Sequence, residues 1–177
     1  MHTLLLTLSA WGRGFVGLDG GQSATIFNDA QFHFTLTAPK DWYIDREPVF
    51  FPALRVGITP KLSNDAARKQ SKTYIKVAAG MLLLPSLEDY LQTSFAFYED
   101  AWAIETTRDF EFLGAPAKDV LLRQMMGNST TKIRKIFTVR KTKDAQNVFV
   151  FSFSAPPDEY DALRDTFDAA LQSISFL

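Results

Sequence analysis

The sequence predicts an α+β fold, with one antiparallel β-sheet sandwiched between helices in an α/β/α arrangement. Two observations point there. After residue 104 the apolar residues recur with period two, in successive runs joined by short turns, which is the pattern of an antiparallel meander. Within two of those runs, both faces are apolar. In "NVFVFSFSA", Phe149, Phe151 and Phe153 oppose Val148 and Val150; in "KDVLLRQMM", Val120 and Leu122 oppose Leu121 and Met125. A sheet with one wet face alternates apolar with polar. These strands therefore need cover on both sides, and two amphipathic helices are at hand to supply it. The alternative is a helix-grip fold, which suits the last helix but leaves the two-faced strands unexplained.

The elements follow in order. Residues 1–30 read as a flexible leader or a partial signal segment. "TLLLTLSA" is apolar and ends in small residues, as a signal peptide does, but no cation precedes it, and the glycine-dense "WGRGFVGLDGGQS" resists regular structure. A single domain is expected over 31–177. Phe32, Phe34, Leu36 and Ala38 alternate with His33, Thr35 and Thr37, so a strand is expected over 31–38 with His33 in its middle. Pro39 ends it, and Trp42 behind the turn reads as a core plug. "PVFFPALRVGI" (48–58), broken by prolines and a glycine, predicts one or two short edge-like strands. Residues 59–72 form a long polar connection, and 73–83 the next strand.

Ser86 with Asp89 makes a capping-box-like start, behind Pro85. Leu87, Leu91, Phe95, Tyr98 and Trp102 then recur at helical spacing. Strands are expected at about 105–112, 117–126, 130–141 and 147–154. A closing helix begins near Asp158, with Tyr160, Leu163, Phe167, Leu171 and Ile174 on its apolar face.

Composition excludes several chemistries. The chain of 177 residues has no cysteine, two histidines and a formal net charge of −1. Thiol catalysis and thiolate metal sites are ruled out, and nothing global attracts nucleic acid. No histidine pair has ligand spacing, no G-x-S-x-G elbow occurs, and any Ser–His–Asp triad in the folded region has to include His33. A carboxylate pair such as Glu105 with Asp109 or Glu111 could do acid–base work, against the simpler reading of solvated strand residues. No catalytic residue, metal site or cofactor is assigned.

Charge patterning offers a candidate surface. Lys132, Arg134, Lys135, Arg140, Lys141 and Lys143 crowd one strand and its turn, and Lys132, Arg134 and Arg140 share parity. Either they neutralise the acidic helices within the fold, or they form a basic docking face for an acidic protein or an anionic membrane surface. No aromatic stacking platform accompanies them, so nucleic acid is not expected.

Four stretches in order, "APKDW", "SLEDYL", "LGAPAKDVLL" and "VFVFSFSA" with a closing helix ending "SISF", resemble the PsbP/DcrB-like superfamily. That group takes in photosystem II PsbP, bacterial DcrB-type envelope proteins and Ran-binding Mog-type proteins. Where its members often carry Gly before the Trp, this chain has Asp41. The resemblance implies an α/β/α sandwich without catalytic apparatus. It also implies a non-enzymatic binding or accessory domain that docks to a protein complex or acts as an envelope accessory or chaperone-like protein. An enzyme, or a small-ligand or lipid-binding protein with an unrecognised pocket, is the alternative. Periplasmic or envelope and cytoplasmic locations both stay open.

Overall fold

A computed structural model describes residues 25–45, 54–62, 67, 70–96, 101–126, 129–141 and 145–177. Ten strands and two helices are described: β1 Ile26–Asp29, β2 Phe34–Thr37, β3 Trp42–Asp45, β4 Leu54–Pro60, β5 Tyr74–Met81, α1 Leu87–Ala96, β6 Trp102–Phe112, β7 Ala115–Met126, β8 Ser129–Lys141, β9 Gln146–Ala155, α2 Pro157–Gln172 and β10 Ser175–Phe176. Seven strands form one antiparallel sheet in the order β3-β4-β5-β9-β8-β7-β6, and β1-β2-β10 form a second, small one.

The two-faced strands behave as their parity requires. Phe149, Phe151 and Phe153 enter a core with Phe167, Leu171 and Ile174 from the α2 side and Phe27, Phe34 and Leu36 from the small sheet. Val148 and Val150, with Val120, Leu122, Ile133 and Phe137, enter a second core beneath Leu87, Leu91 and Phe95 of α1. The large sheet is thus the middle layer, with α1 on one face and α2 plus the small sheet on the other.

Local chemistry sets the ends of these elements. The Ser86 hydroxyl accepts from the Asp89 N–H at 3.1 Å and donates to the Asp89 carboxylate, capping α1. Pro157 opens α2 at a position where a missing N–H costs nothing. Trp42 N–H donates to the Pro39 carbonyl at 3.1 Å, closing a turn whose third residue, Asp41, has φ +63°. A left-handed position there explains the glycine of the related motif, and Asp tolerates it better than most residues. Beyond the turn, the Trp42 indole meets Phe167 of α2 edge-on at 6.3 Å and packs on the core as the expected plug.

Several expectations need correction. The strand expected within 48–58 is not at an edge: β4 is paired on both sides, by β3 and β5. Trp102 is not the last residue of the α1 stripe; it opens β6. It still packs on the same core as Leu87 and Phe95, so the 3.6-residue spacing ran on by coincidence into the next element. His33 is not mid-strand: it is exposed in the β1–β2 turn with φ +53°, and β2 begins one residue later. The polar connection begins after Pro60 rather than at Thr59, because β4 continues through both residues. β1 lies before residue 31 and pairs with β2 from Ile26↔Thr37 to Asp29↔Phe34. Residues 1–24 of the expected 1–30 leader lie outside the described residues, as do 46–53 and Tyr98.

The β6–β7 hairpin turns on Leu113 and Gly114, with φ +51° and +78°. Two left-handed central residues make the turn that favours Asn-Gly. Leu113 pays steric strain there while standing 46% exposed. Leu113→Asn should therefore raise stability by about 1 kcal/mol, read as an upward shift in the urea midpoint.

Candidate functional site

An open cleft of about 630 Å3 lies on the α2 face, between α2 and the strands nearest the β6 edge. Its floor comes from β6, β7 and β8 through Thr106, Arg108, Asp119, Leu121, Lys132 and Arg134. Its wall is α2, with the buried Tyr160 at its base and Asp161, Arg164, Asp165 and Asp168 above it.

The floor holds a closed charge network. Asp119 is a lone carboxylate in an apolar strand, and burying it without a cation is unfavourable. Arg134 on β8 answers it: Nε and Nη2 donate to the two Asp119 oxygens at 3.0 and 2.9 Å, a bidentate pair. Arg134 Nη1 donates onward to Asp168 of α2 at 2.6 Å, and Arg108 adds a second donor to Asp119 at 2.8 Å. Burial works to lower the Arg134 pKa, but the bonds and charge of Asp119, then Asp168, more than offset it and leave the pKa raised. Tyr160 is pushed up to about 12, chiefly by burial, so its phenol stays protonated at neutral pH. Lys132 stands over the Tyr160 ring at 5.4 Å.

The shared parity of Lys132, Arg134 and Arg140 does place them on the α2 face, in three different settings. Arg134 is tied to Asp119 and Asp168. Arg140 lies outside the cleft, its guanidinium 4.0 Å from the Phe176 ring centroid and its Nη1 donating to the Leu113 carbonyl at 3.1 Å. Lys132 alone of the three lines the cleft without an ion pair among the described residues, as does Arg164. Sequence reasoning passed over Arg164, Asp119 and Tyr160. The Asp119 signal was legible, since one acid inside "KDVLLR" demands a partner.

Of the three acidic candidates two are held by neighbours, and Glu111 stands exposed on β6 opposite Pro116. Glu105 is held by Arg123 Nε at 2.7 Å and Asp109 by Lys118 Nζ at 3.3 Å. Lys118 also reaches Glu88 of α1 at 2.9 Å. Among the described residues no group of three or more His, Asp or Glu could hold a metal ion, and no helix is long and apolar enough to cross a membrane.

Lys135 points the opposite way from Arg134, into the α1-side core, with Nζ 4.0 Å from the Trp102 ring centroid. Burial pushes it down to about 8. Its unfolded value near 10.4 is higher, so between about pH 8 and pH 10.4 the unfolded chain binds more protons and stability rises with pH. Below about pH 8 both states are charged and the full penalty stands. Lys135→Met should stabilise the fold at pH 7 by roughly 1–3 kcal/mol and flatten this rise, measured as urea midpoints at pH 7 and pH 10.

This three-layer architecture is that of PsbP. The chain is similar to cyanobacterial PsbP (CyanoP) from Synechocystis sp. PCC 6803, with TM-score 0.63, 14% identity, and coverage of 93% of this chain and 98% of that one. It is also similar to LpqN, involved in cell envelope biogenesis of Mycobacterium tuberculosis, with TM-score 0.57, 15% identity, and coverage of 89% and 86%. A Bacteroides thetaiotaomicron protein gives TM-score 0.53 at 8% identity over 89% of this chain and 49% of that chain. No protein-family model and no curated protein matches the sequence.

Proposed function

We propose that the protein is a non-enzymatic accessory domain that docks to a protein partner through the α2–β6 cleft. The observation that carries this is the state of the cleft's charges. A catalytic site holds groups poised to gain or lose a proton near working pH. Here Arg134, Asp119, Arg108 and Asp168 are spent on one another, and Tyr160 is moved further from neutrality. What faces outward is a rim of Lys132, Arg164, Asp161 and Asp165 over an open, mixed-charge surface, suited to a polar protein interface. The neighbouring β6 edge is exposed from Ala103 to Asp109, bulged between Ile104 and Thr106, and studded with Glu105, Arg108 and Asp109. Such an edge resists pairing with stray strands while leaving side chains available to a partner.

A photo-crosslinking residue at position 164, and separately at 106, should give the same dominant protein adduct in the native cell. The same probe at Tyr43, on the opposite sheet edge, should give none. Adducts equally strong at Tyr43, or turnover of a small substrate that Asp161→Asn abolishes, contradict the reading.

A further inference from the structure

The base of the cleft holds hydrogen-bond donors that no described neighbour uses. Tyr160 lines it and is 5% exposed, yet its hydroxyl has no hydrogen-bond partner among the described residues. A polar group so covered ordinarily meets an acceptor. Lys132 Nζ stands over the same ring and makes no ion pair among the described residues. Its in-register neighbour on β7 is a further cation, Arg123, which is bonded to Glu105. Arg164 lies one turn after Tyr160 and about 40° round α2. Helical side chains lean toward the N-terminus, so its guanidinium is carried back toward Tyr160. The acids of the cleft are placed otherwise. Asp119 and Asp168 are bonded to Arg134. Asp161 and Asp165 are exposed, about 100° and 140° round the helix from Tyr160, and so stand on the solvent side of Arg164.

We infer that the base of the cleft receives one carboxylate side chain, an Asp or Glu of the partner, with Tyr160 Oη, Lys132 Nζ and the Arg164 guanidinium as its donors. This rests on the reading that the cleft docks a protein. The donor chemistry selects the occupant. Arg164 brings a planar fork that matches a carboxylate, and bonds from Lys and Arg to an ionised acceptor are the strong ones. The Tyr160 phenol stays protonated at neutral pH and so donates as well. A phosphate is the weaker fit. The lining carries four cations and four acids, so nothing in the cleft balances the second charge of a dianion. A chain terminus is also the weaker fit. Its carboxylate comes with a main-chain N–H that needs an acceptor, and the inner acceptors, Asp119 and Asp168, are already held by Arg134. A side chain reaches the base from a folded surface laid across the open cleft and brings no such donor.

The test is an NMR titration of the full chain, labelled on tyrosine rings and arginine side chains, with N-acetyl-glutamate amide. Saturable shifts should appear at Tyr160 and Arg164, and the uncharged N-acetyl-glutamine amide should give none. Tyr160→Phe keeps the ring packed against Phe167, so it should melt like the wild type while binding the glutamate probe about tenfold more weakly. Arg164→Gln, at an exposed position, should weaken it at least as much. No shift with the glutamate probe, or an equal shift with the glutamine probe, overturns the inference. Tighter binding of N-acetylglycine or inorganic phosphate overturns it too, by giving the site to a chain terminus or a phosphate. Crosslinks from position 106 read the docking separately. Their persistence without glutamate binding overturns this inference alone. Glutamate binding without those crosslinks overturns the docking reading and leaves a site for a free carboxylate.

Discussion

Phe151→Ala should lose roughly 4 kcal/mol of stability, a large part of the 5–15 kcal/mol that holds a domain of this kind together. Phe151 is fully buried at the centre of the large sheet, between Val77 of β5 and Ile136 of β8. It meets Phe112 at 5.5 Å and stacks with Phe149 at 6.3 Å. The surrounding residues sit on paired strands and cannot collapse into the space left behind, so the cavity term adds to the lost transfer energy. A companion substitution tests the three-layer arrangement itself. Phe137 points to the opposite face, where it meets Phe95 at 5.8 Å and Tyr90 at 6.4 Å. Phe137→Ala should cost about 3–5 kcal/mol as well. A sheet with one wet face loses stability from only one of the two. Urea midpoints at constant slope read both values.

Asp29→Ala should cost about 3–5 kcal/mol, through electrostatics rather than packing. The Asp29 carboxylate is 3% exposed and accepts from Arg55 Nε at 2.7 Å, tying β1 of the small sheet to β4 of the large one. Its other oxygen accepts the Gln31 and Phe32 N–H groups at 2.9 Å each, which shapes the turn carrying His33 at positive φ. Removing the carboxylate leaves a largely buried guanidinium with, among the described residues, only the Phe32 ring, 4.9 Å away, and two turn donors unmet. Asp29→Asn keeps an acceptor for the turn and should recover part of the loss. Equal melting of the Ala and Asn variants would show that Arg55, not the turn, carries the effect.

The middle layer was legible because its signal is local. Phe149, Phe151 and Phe153 against Val148 and Val150 state both faces within one strand. The α2 stripe from Tyr160 to Ile174 states which helix covers one of them. Of the small sheet only β2 was legible, through the alternation from Phe32 to Ala38. β1 and β10 are four and two residues long, too short for periodicity to register, and β10 pairs with β2 across most of the chain. The candidate site was legible by half. Parity placed Lys132, Arg134 and Arg140 on one face, but the commitment of Arg134 depends on strand register, which sets β7 beside β8 and brings Asp119 within reach. Arg164 escaped because a single cation on an acidic helix surface has no signature until the helix is seen to border a cleft.

The central claim is that the cleft's inner charges serve the fold and its outer ones serve a partner. Once the crosslinked partner is in hand, calorimetric titration with the Lys132→Glu/Arg164→Glu double variant tests it most directly. The account predicts a melting temperature close to that of the wild type and binding at least tenfold weaker. Unchanged affinity in a normally folded double variant would contradict it.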